Sequence, residues 1–152
     1  MAPLGGAGHM LRCVNGAGLH PGEKAEMSVA RDPVCPLIAI VEDDHAVLNS
    51  LEFSLEAEGY DVCAFEDARD ALASARIGSA DCLVIDYGLP DGDGVTLLQG
   101  LRQKGVDCPA IIIASNPSAR CRRDAQAAGA PVIEKPLMDD ALSALIRNVL
   151  PA

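Results

Sequence analysis

Residues 81–94 read DCLVIDYGLPDGDG: four apolar positions, Cys82 to Ile85, lead to a lone carboxylate, Asp86, and the chain then turns at once through Gly, Pro and Asp. A short run that is apolar at successive positions, without alternation, is the pattern of a strand covered on both faces, as in a parallel sheet. Gly88, Pro90, Gly92 and Gly94 then break the extended pattern and end the strand. A core strand that ends on a charge needs a reason for that charge, and the reason depends on where the neighbouring strands end.

Outward from this stretch the same unit recurs, an aliphatic run followed by an amphipathic segment of about 10–14 residues. The runs are LIAIV at 37–41, DVCAF at 61–65, DCLVID at 81–86, PAIIIA at 109–114 and PVIE at 131–134. The second is shorter and mixed, as at a sheet edge. Between the runs, Asp44 is placed to cap a helix that shows Val47, Leu48, Leu51 and Leu55 on one face and stops at Gly59. Asp67, with Asp70 three positions on, opens a second helix with Ala68, Ala71, Leu72 and Ala75 inward. Leu97, Leu98 and Leu101 mark a third. Asn116 and Pro117 are expected to begin a fourth, which offers only Ala119, Cys121, Ala125 and Ala128 to the core. Leu142, Leu145, Ile146 and Val149 mark a fifth. Strand and helix alternating five times, with right-handed crossovers, predict an α/β fold with a doubly wound parallel sheet whose site lies beyond the carboxyl ends of the strands.

Composition narrows the function. The chain has 152 residues, the size of one domain, with 49% hydrophobic and only 3% aromatic residues, so an aliphatic core is expected. Lys and Arg number 12 against 22 Asp and Glu, a formal charge of -10, which argues against a nucleic-acid partner. The six cysteines form no C-x-x-C pair and are expected to be reduced thiols of a cytoplasmic protein. No run approaches the roughly 18 apolar residues of a membrane span, and the first residues show neither the charged start nor the apolar block of a signal peptide, so none is expected. Residues 1–35 are Gly-rich with balanced charges and no periodicity, and are expected to be a disordered extension; residues 36–152 form the domain.

Polar residues cluster where the strands end. The first strand leads into Glu42, Asp43 and Asp44, the third ends at Asp86, the fourth at Ala114 with Ser115 next, and the fifth is followed by Lys135 and Pro136. On one sheet edge, three carboxylates and an ammonium converge. At about 4 Å and an effective dielectric near 20, each carboxylate pair repels by about 4 kcal/mol, so the cluster calls for a cation. Hard oxygen ligands with water sites left open suit Mg2+, and Lys135 supplies a point charge for a phosphoryl oxygen. A carboxylate in such a setting can itself accept a phosphoryl group. A calcium loop in DGDG at 91–94 is disfavoured, because twelve residues counted from Asp91 end at Arg102 and from Asp86 at Leu97, where a Glu is required. His45 and the Arg120, Arg122, Arg123 group read as solvated helix faces, with a docking patch for an acidic partner as the sharper option for the arginines.

The motifs VEDD at 41–44, IDYGLPDGDG at 85–94 and EKP at 134–136, in this order within the five-strand rhythm, resemble the receiver domain of two-component response regulators over about residues 37–150. The resemblance implies a flavodoxin-like sheet in the order 2-1-3-4-5. It implies that Glu42, Asp43, Asp86 and the backbone carbonyl of Gly88 hold Mg2+, that Asp86 accepts the phosphoryl group and that Lys135 contacts it. The Lys135–Pro136 bond is often cis in such domains. The partners implied are a histidine kinase or histidine phosphotransfer protein and a downstream protein, with no nucleic acid and no membrane. The domain is expected to be a phosphoacceptor, not an enzyme beyond slow self-catalysed phosphotransfer and dephosphorylation. Because little chain lies beyond the fifth helix, a single-domain regulator acting through protein contacts is expected; the alternative is a degenerate receiver serving as a constitutive binding module or phosphate sink. An aspartyl-phosphate phosphatase is disfavoured, since Gly88 stands where a second aspartate would act as general acid. Two departures bear on read-out. Ala114 occupies the strand end where receivers carry Thr or Ser, with Ser115 a possible substitute, and Val132 stands where an aromatic is usual. Loss of one charge-assisted hydrogen bond costs about 1.5–3 kcal/mol.

Overall fold

The computed structural model describes residues 35–137 and 140–151. The extension expected over residues 1–35 lies outside the described residues, apart from Cys35. Element order is β1 (Leu37–Val41), α1 (His45–Ala57), β2 (Asp61–Phe65), α2 (Ala68–Ala73), a 3-10 turn (Arg76–Ser79), β3 (Cys82–Asp86), α3 (Gly94–Gln103), β4 (Ala110–Ala114), α4 (Ala119–Ala127), β5 (Val132–Glu134) and α5 (Ala141–Val149). Between β3 and α3 a two-rung antiparallel ribbon pairs Gly88–Leu89 with Gly92–Asp93. The main sheet is parallel throughout and runs β2-β1-β3-β4-β5, the order expected.

Every residue of β1, β3 and β4 is buried, because helices cover both faces of the central strands. One face places Ala39, Leu83, Ile85 and Ile112 against Ala71 of α2, Leu98 and Leu101 of α3 and Ala125 of α4. The other places Ile38, Ile40, Val84, Ile111 and Ile113 against Leu51 and Leu55 of α1 and Ile146 of α5. The edge strands β2 and β5 are only partly buried, which explains the mixed pattern of the second run.

Local signals account for most boundaries. The Asp44 side chain accepts from the amides of Ala46 and Val47 at 2.9 and 3.1 Å, capping α1. Gly59, past the end of α1, has φ +99°, a conformation that costs glycine little. Asp67 caps α2 through the amide of Asp70 at 2.8 Å.

Three expectations are corrected. Helix α2 ends at Ala73, and Ala75 is exposed; Ile77 of the 3-10 turn enters the core instead, because the chain bends at Ser74 into extended backbone. Helix α4 is capped by Ser118, whose Oγ accepts from the Cys121 amide at 3.0 Å, and not by Asn116. Asn116 takes φ +44° in the preceding turn, a left-handed conformation that Asn tolerates, and Ala119 is exposed while Cys121 and Ala125 are buried. Among the cysteines, Cys63, Cys82, Cys108 and Cys121 are free as expected, whereas Cys35, just before β1 and outside the two core clusters, is disulfide-bonded. Cys13 lies outside the described residues. Burial pushes the thiols of Cys63 and Cys82 up to about 11 and about 12, so neither is a nucleophile at neutral pH.

Gly94, the first residue of α3, is where helix and strand approach most closely. A Cβ there would lie 2.5 Å from the backbone oxygen of Asp86 and 2.8 Å from Ile85 Cγ2. Gly94→Ala is therefore expected to destabilise the fold by about 1–3 kcal/mol, the usual range for overpacking. Gly78→Ala, in open space within the 3-10 turn, should leave thermal unfolding nearly unchanged. Equal melting temperatures for the two variants would contradict this packing.

Candidate functional site

The sheet order brings the tips of β1, β3 and β5 onto one edge. In the register of β1 with β3, Val41 pairs with Ile85, so the next residues along each strand, Glu42 and Asp86, come side by side. Glu42 still behaves as strand, its amide donating to the Phe65 carbonyl at 3.0 Å. Both carboxylates are desolvated, Glu42 at 0% and Asp86 at 5% exposure. Asp43 is exposed, yet one of its oxygens, with one each from Glu42 and Asp86, forms a group within 4.8 Å. Asp44 is spent as the cap of α1, and its amide donates to Glu42 Oε2 at 3.1 Å.

Lys135 arrives from β5, whose pairing extends one residue further through the Lys135 amide to the Ala114 carbonyl at 2.8 Å. The Lys135–Pro136 peptide is cis, as the resemblance implies. Strand β5 stands two places from β3, about 10 Å by strand spacing, a gap closed by the four-carbon lysine chain from one side and the Asp86 side chain from the other. Its Nζ lies 2.9 Å from Glu42 Oε1 and 3.4 Å from Asp86 Oδ1. Gly88 presents its amide to Asp86 Oδ1 at 3.4 Å. Residues from three distant segments of the sequence, Glu42 with Asp43, Asp86, and Lys135, thus meet at one site.

Charge at this site is out of balance. Burial, reinforced by the Glu42 carboxylate, pushes the Asp86 carboxyl up to about 7, with Lys135 acting in the opposite sense. For Lys135, burial works against the ammonium, but the Glu42 and Asp86 carboxylates outweigh it and raise its pKa. Glu42 Oε1 is buried beside that ammonium without an aligned hydrogen bond, so its lone pairs are left unsatisfied. A buried carboxylate oxygen with an ammonium beside it but no well-aligned hydrogen bond, within an all-oxygen, acidic group, is what a hard divalent cation would satisfy, so the residues present fit such an ion.

The positions around the site carry less of its chemistry. β4 ends at Ala114, which is buried, and Ser115 is an exposed bend residue one position beyond the strand. Val132 pairs with Ile112 and packs on the α2–α3–α4 side of the sheet. His45 is exposed, as expected, with Nε2 3.2 Å from Glu66 Oε1, and the α4 arginines make only loose surface pairs, Arg120 with Asp124 and Arg122 with Glu134. Asp91, legible in sequence only as a turn residue, accepts hydrogen bonds from the amides of Ala68 and Arg69. No local pattern reveals that contact, since its partners lie in a different element.

The response regulator receiver domain family matches residues 38–147, most of the chain. The transcriptional regulatory protein KdpE of Staphylococcus aureus is 35% identical over 113 residues, covering 74% of this chain and 48% of KdpE. The transcriptional regulatory protein FixJ of Bradyrhizobium diazoefficiens is 32% identical over 117 residues, covering 74% of this chain and 56% of FixJ. The chain spans about half the length of the curated relatives it matches. Among solved structures, a CheY-like response regulator receiver domain protein from Methanospirillum hungatei is 30% identical with a TM-score of 0.68, covering 75% of this chain and 92% of that one. FixJ-N is 31% identical with a TM-score of 0.67, covering 77% and 97%. With the sheet order, the three motifs and the acidic edge in agreement with these matches, the chain belongs to the response regulator receiver domain family.

Proposed function

We propose that this domain accepts a phosphoryl group on Asp86 from a phosphohistidine of a histidine kinase or histidine phosphotransfer protein. The observation that carries this reading is the partly buried Lys135 ammonium, 2.9 Å from Glu42 Oε1 and 3.4 Å from Asp86 Oδ1. A carboxylate oxygen of Asp86 attacks phosphorus, the P–N bond to the donor imidazole breaks, and the imidazole leaves with its electron pair and is protonated. Lys135 favours the ionised, nucleophilic form of Asp86 and stands ready for an oxygen of the incoming group. Glu42, Asp43, Asp86 and the Gly88 carbonyl would hold Mg2+, which when bound offsets the negative charge gathered on carboxylates and phosphoryl oxygens. Ser115 is exposed at the rim, and we assign it at most a secondary contact with the phosphoryl group.

In this reading the protein acts in the cytoplasm. The added charge shifts the α4 region between two arrangements, and output runs through a downstream protein. The acidic balance of the chain, 22 acids to 12 bases, supports a protein partner over nucleic acid. In the described residues no helix is long and apolar enough to cross a membrane. A second reading, a degenerate receiver that binds partners constitutively or drains phosphate, is favoured by one observation: Ala114 fills the end of β4 with a buried methyl and no hydroxyl.

Incubation with a small phosphodonor and Mg2+ is expected to add one acid-labile phosphoryl group by mass, and Asp86→Asn should abolish the gain. A gain that survives Asp86→Asn would refute Asp86 as acceptor, and no gain in the wild type would favour the second reading. The raised Asp86 pKa also makes stability depend on pH. Its folded value of about 7 lies above the ordinary 3.8, so the stability it contributes is complete below pH 3.8 and is lost as pH rises through 7. A cation competes with that proton. The rise in melting temperature produced by millimolar MgCl2 is therefore expected to be small near pH 5, to grow through pH 7 and to vanish in Asp86→Asn. Thermal shift measured across this range checks it; an equal rise at both ends would count against Asp86 as a ligand.

A further inference from the structure

The ribbon between β3 and α3 is tied to a helix that begins 23 residues earlier in the chain. Asp91, in the turn between the Gly88–Leu89 and Gly92–Asp93 strands, directs its carboxylate onto the first turn of α2. Oδ1 accepts from the Ala68 amide and Oδ2 from the Arg69 amide, each at 3.0 Å. Helix starts leave such amides without partners, and Asp67 takes only that of Asp70. Two acids from separate parts of the chain therefore share the start of α2. At its other end Lys104, just past α3, donates Nζ to the Leu72 carbonyl at 2.6 Å. The segment flanking α3 grips α2 at both ends, acid at the amino end and base at the carboxyl end, as the helix dipole favours. The Ala68 amide, with that of Arg69, holds the Asp91 carboxyl below the usual range, so it stays ionised near neutral pH.

This grip bears on the Asp86 site. Gly88 pairs with Asp93 in the ribbon. The Tyr87 amide donates to the Ile113 carbonyl, and the Gly94 amide to the Tyr87 carbonyl, each at 2.8 Å. The segment after Asp86 is thus fixed to β4 and α3 at its base and to α2 at its tip. We propose that Asp91 is a positioning residue: by holding the ribbon tip on α2 it keeps Gly88, whose amide lies 3.4 Å from Asp86 Oδ1, beside the acidic pocket and so sets the affinity for the divalent ion. This rests on the reading of Glu42, Asp43, Asp86 and Gly88 as the ligand set.

A mere helix cap would behave differently, and Asp67 supplies the comparison, since it caps the same helix through the Asp70 amide and, among the described residues, makes no side-chain hydrogen bond to the ribbon. Wild type, Asp91→Ala, Asp91→Asn and Asp67→Ala are titrated with MgCl2, and the concentration giving half the maximal thermal shift is read. Asp91→Ala is expected to raise that midpoint about tenfold, the usual scale for losing a residue that orients a metal ligand, and Asp67→Ala to leave it within about twofold of wild type. Asp91→Asn, which keeps one acceptor oxygen, should fall between, and it carries the comparison if Asp91→Ala does not fold. An unchanged midpoint in both Asp91 variants, or an equal shift in Asp67→Ala, would overturn the proposal. Hydrogen exchange in the metal-free protein is the second arm. Amides of residues 87–94 are expected to exchange faster in the Asp91 variants than in Asp67→Ala, and equal rates would overturn the tether. A wild type without any Mg2+ response would instead overturn the metal reading, leaving the exchange arm to judge the tether.

Discussion

A partly buried ammonium between two buried carboxylates is the interaction on which the site depends. Glu42 and Asp86 are taken out of water at adjacent strand tips, where each charge carries a desolvation penalty of several kcal/mol and each repels the other. Lys135 offsets part of that penalty and leaves the rest: one cation faces three carboxylates, and Glu42 Oε1 keeps unsatisfied lone pairs. Such a pocket is incomplete by construction. It is set to take up positive charge, or a group that brings positive charge with it.

The remainder of the fold makes that incompleteness tolerable. Strands β1, β3 and β4 are buried along their whole length between two layers of helices, so their tips are held by aliphatic packing that the polar edge does not have to supply. Gly94 lets α3 start against the backbone of Asp86. The ribbon after Asp86 is pinned to α2 by Asp91 and to β4 through Tyr87. A charged side chain beside like charges would otherwise move apart or gain a proton, and a rigid surround limits the first response while burial favours the second.

The departures concern read-out more than chemistry. Ala114 and Val132 place aliphatic side chains where the family resemblance implies a hydroxyl and an aromatic, and neither belongs to the charged group formed by Glu42, Asp43, Asp86 and Lys135. Helix α4, whose Ala125 shares a core cluster with Val132, contributes only Cys121 and Ala125 as buried residues and presents arginines paired loosely with Asp124 and Glu134. Helix α4 is thus one of the elements with a small apolar contribution to the core, like α2 with Ala68 and Ala71.

Sequence alone determined whatever a local pattern encodes. Unbroken aliphatic runs announced the central strands, Asp44, Asp67 and Gly59 announced helix ends, and three short motifs located the clustered acids and the lysine, because burial period, capping and turn chemistry act within a few residues. Where signals were weak, local reading failed: Asn116 and Ser118 are both competent caps, and only the turn before α4 decided for Ser118. Tertiary structure alone decided that Lys135 spans two strands to reach Glu42 and Asp86, that Glu42 loses all contact with solvent while Asp43 keeps it, and that Asp91 caps a helix from another part of the chain. Desolvation and long-range hydrogen bonds depend on which elements the sheet order sets beside one another, and that order is a property of the assembled layers and not of any single stretch.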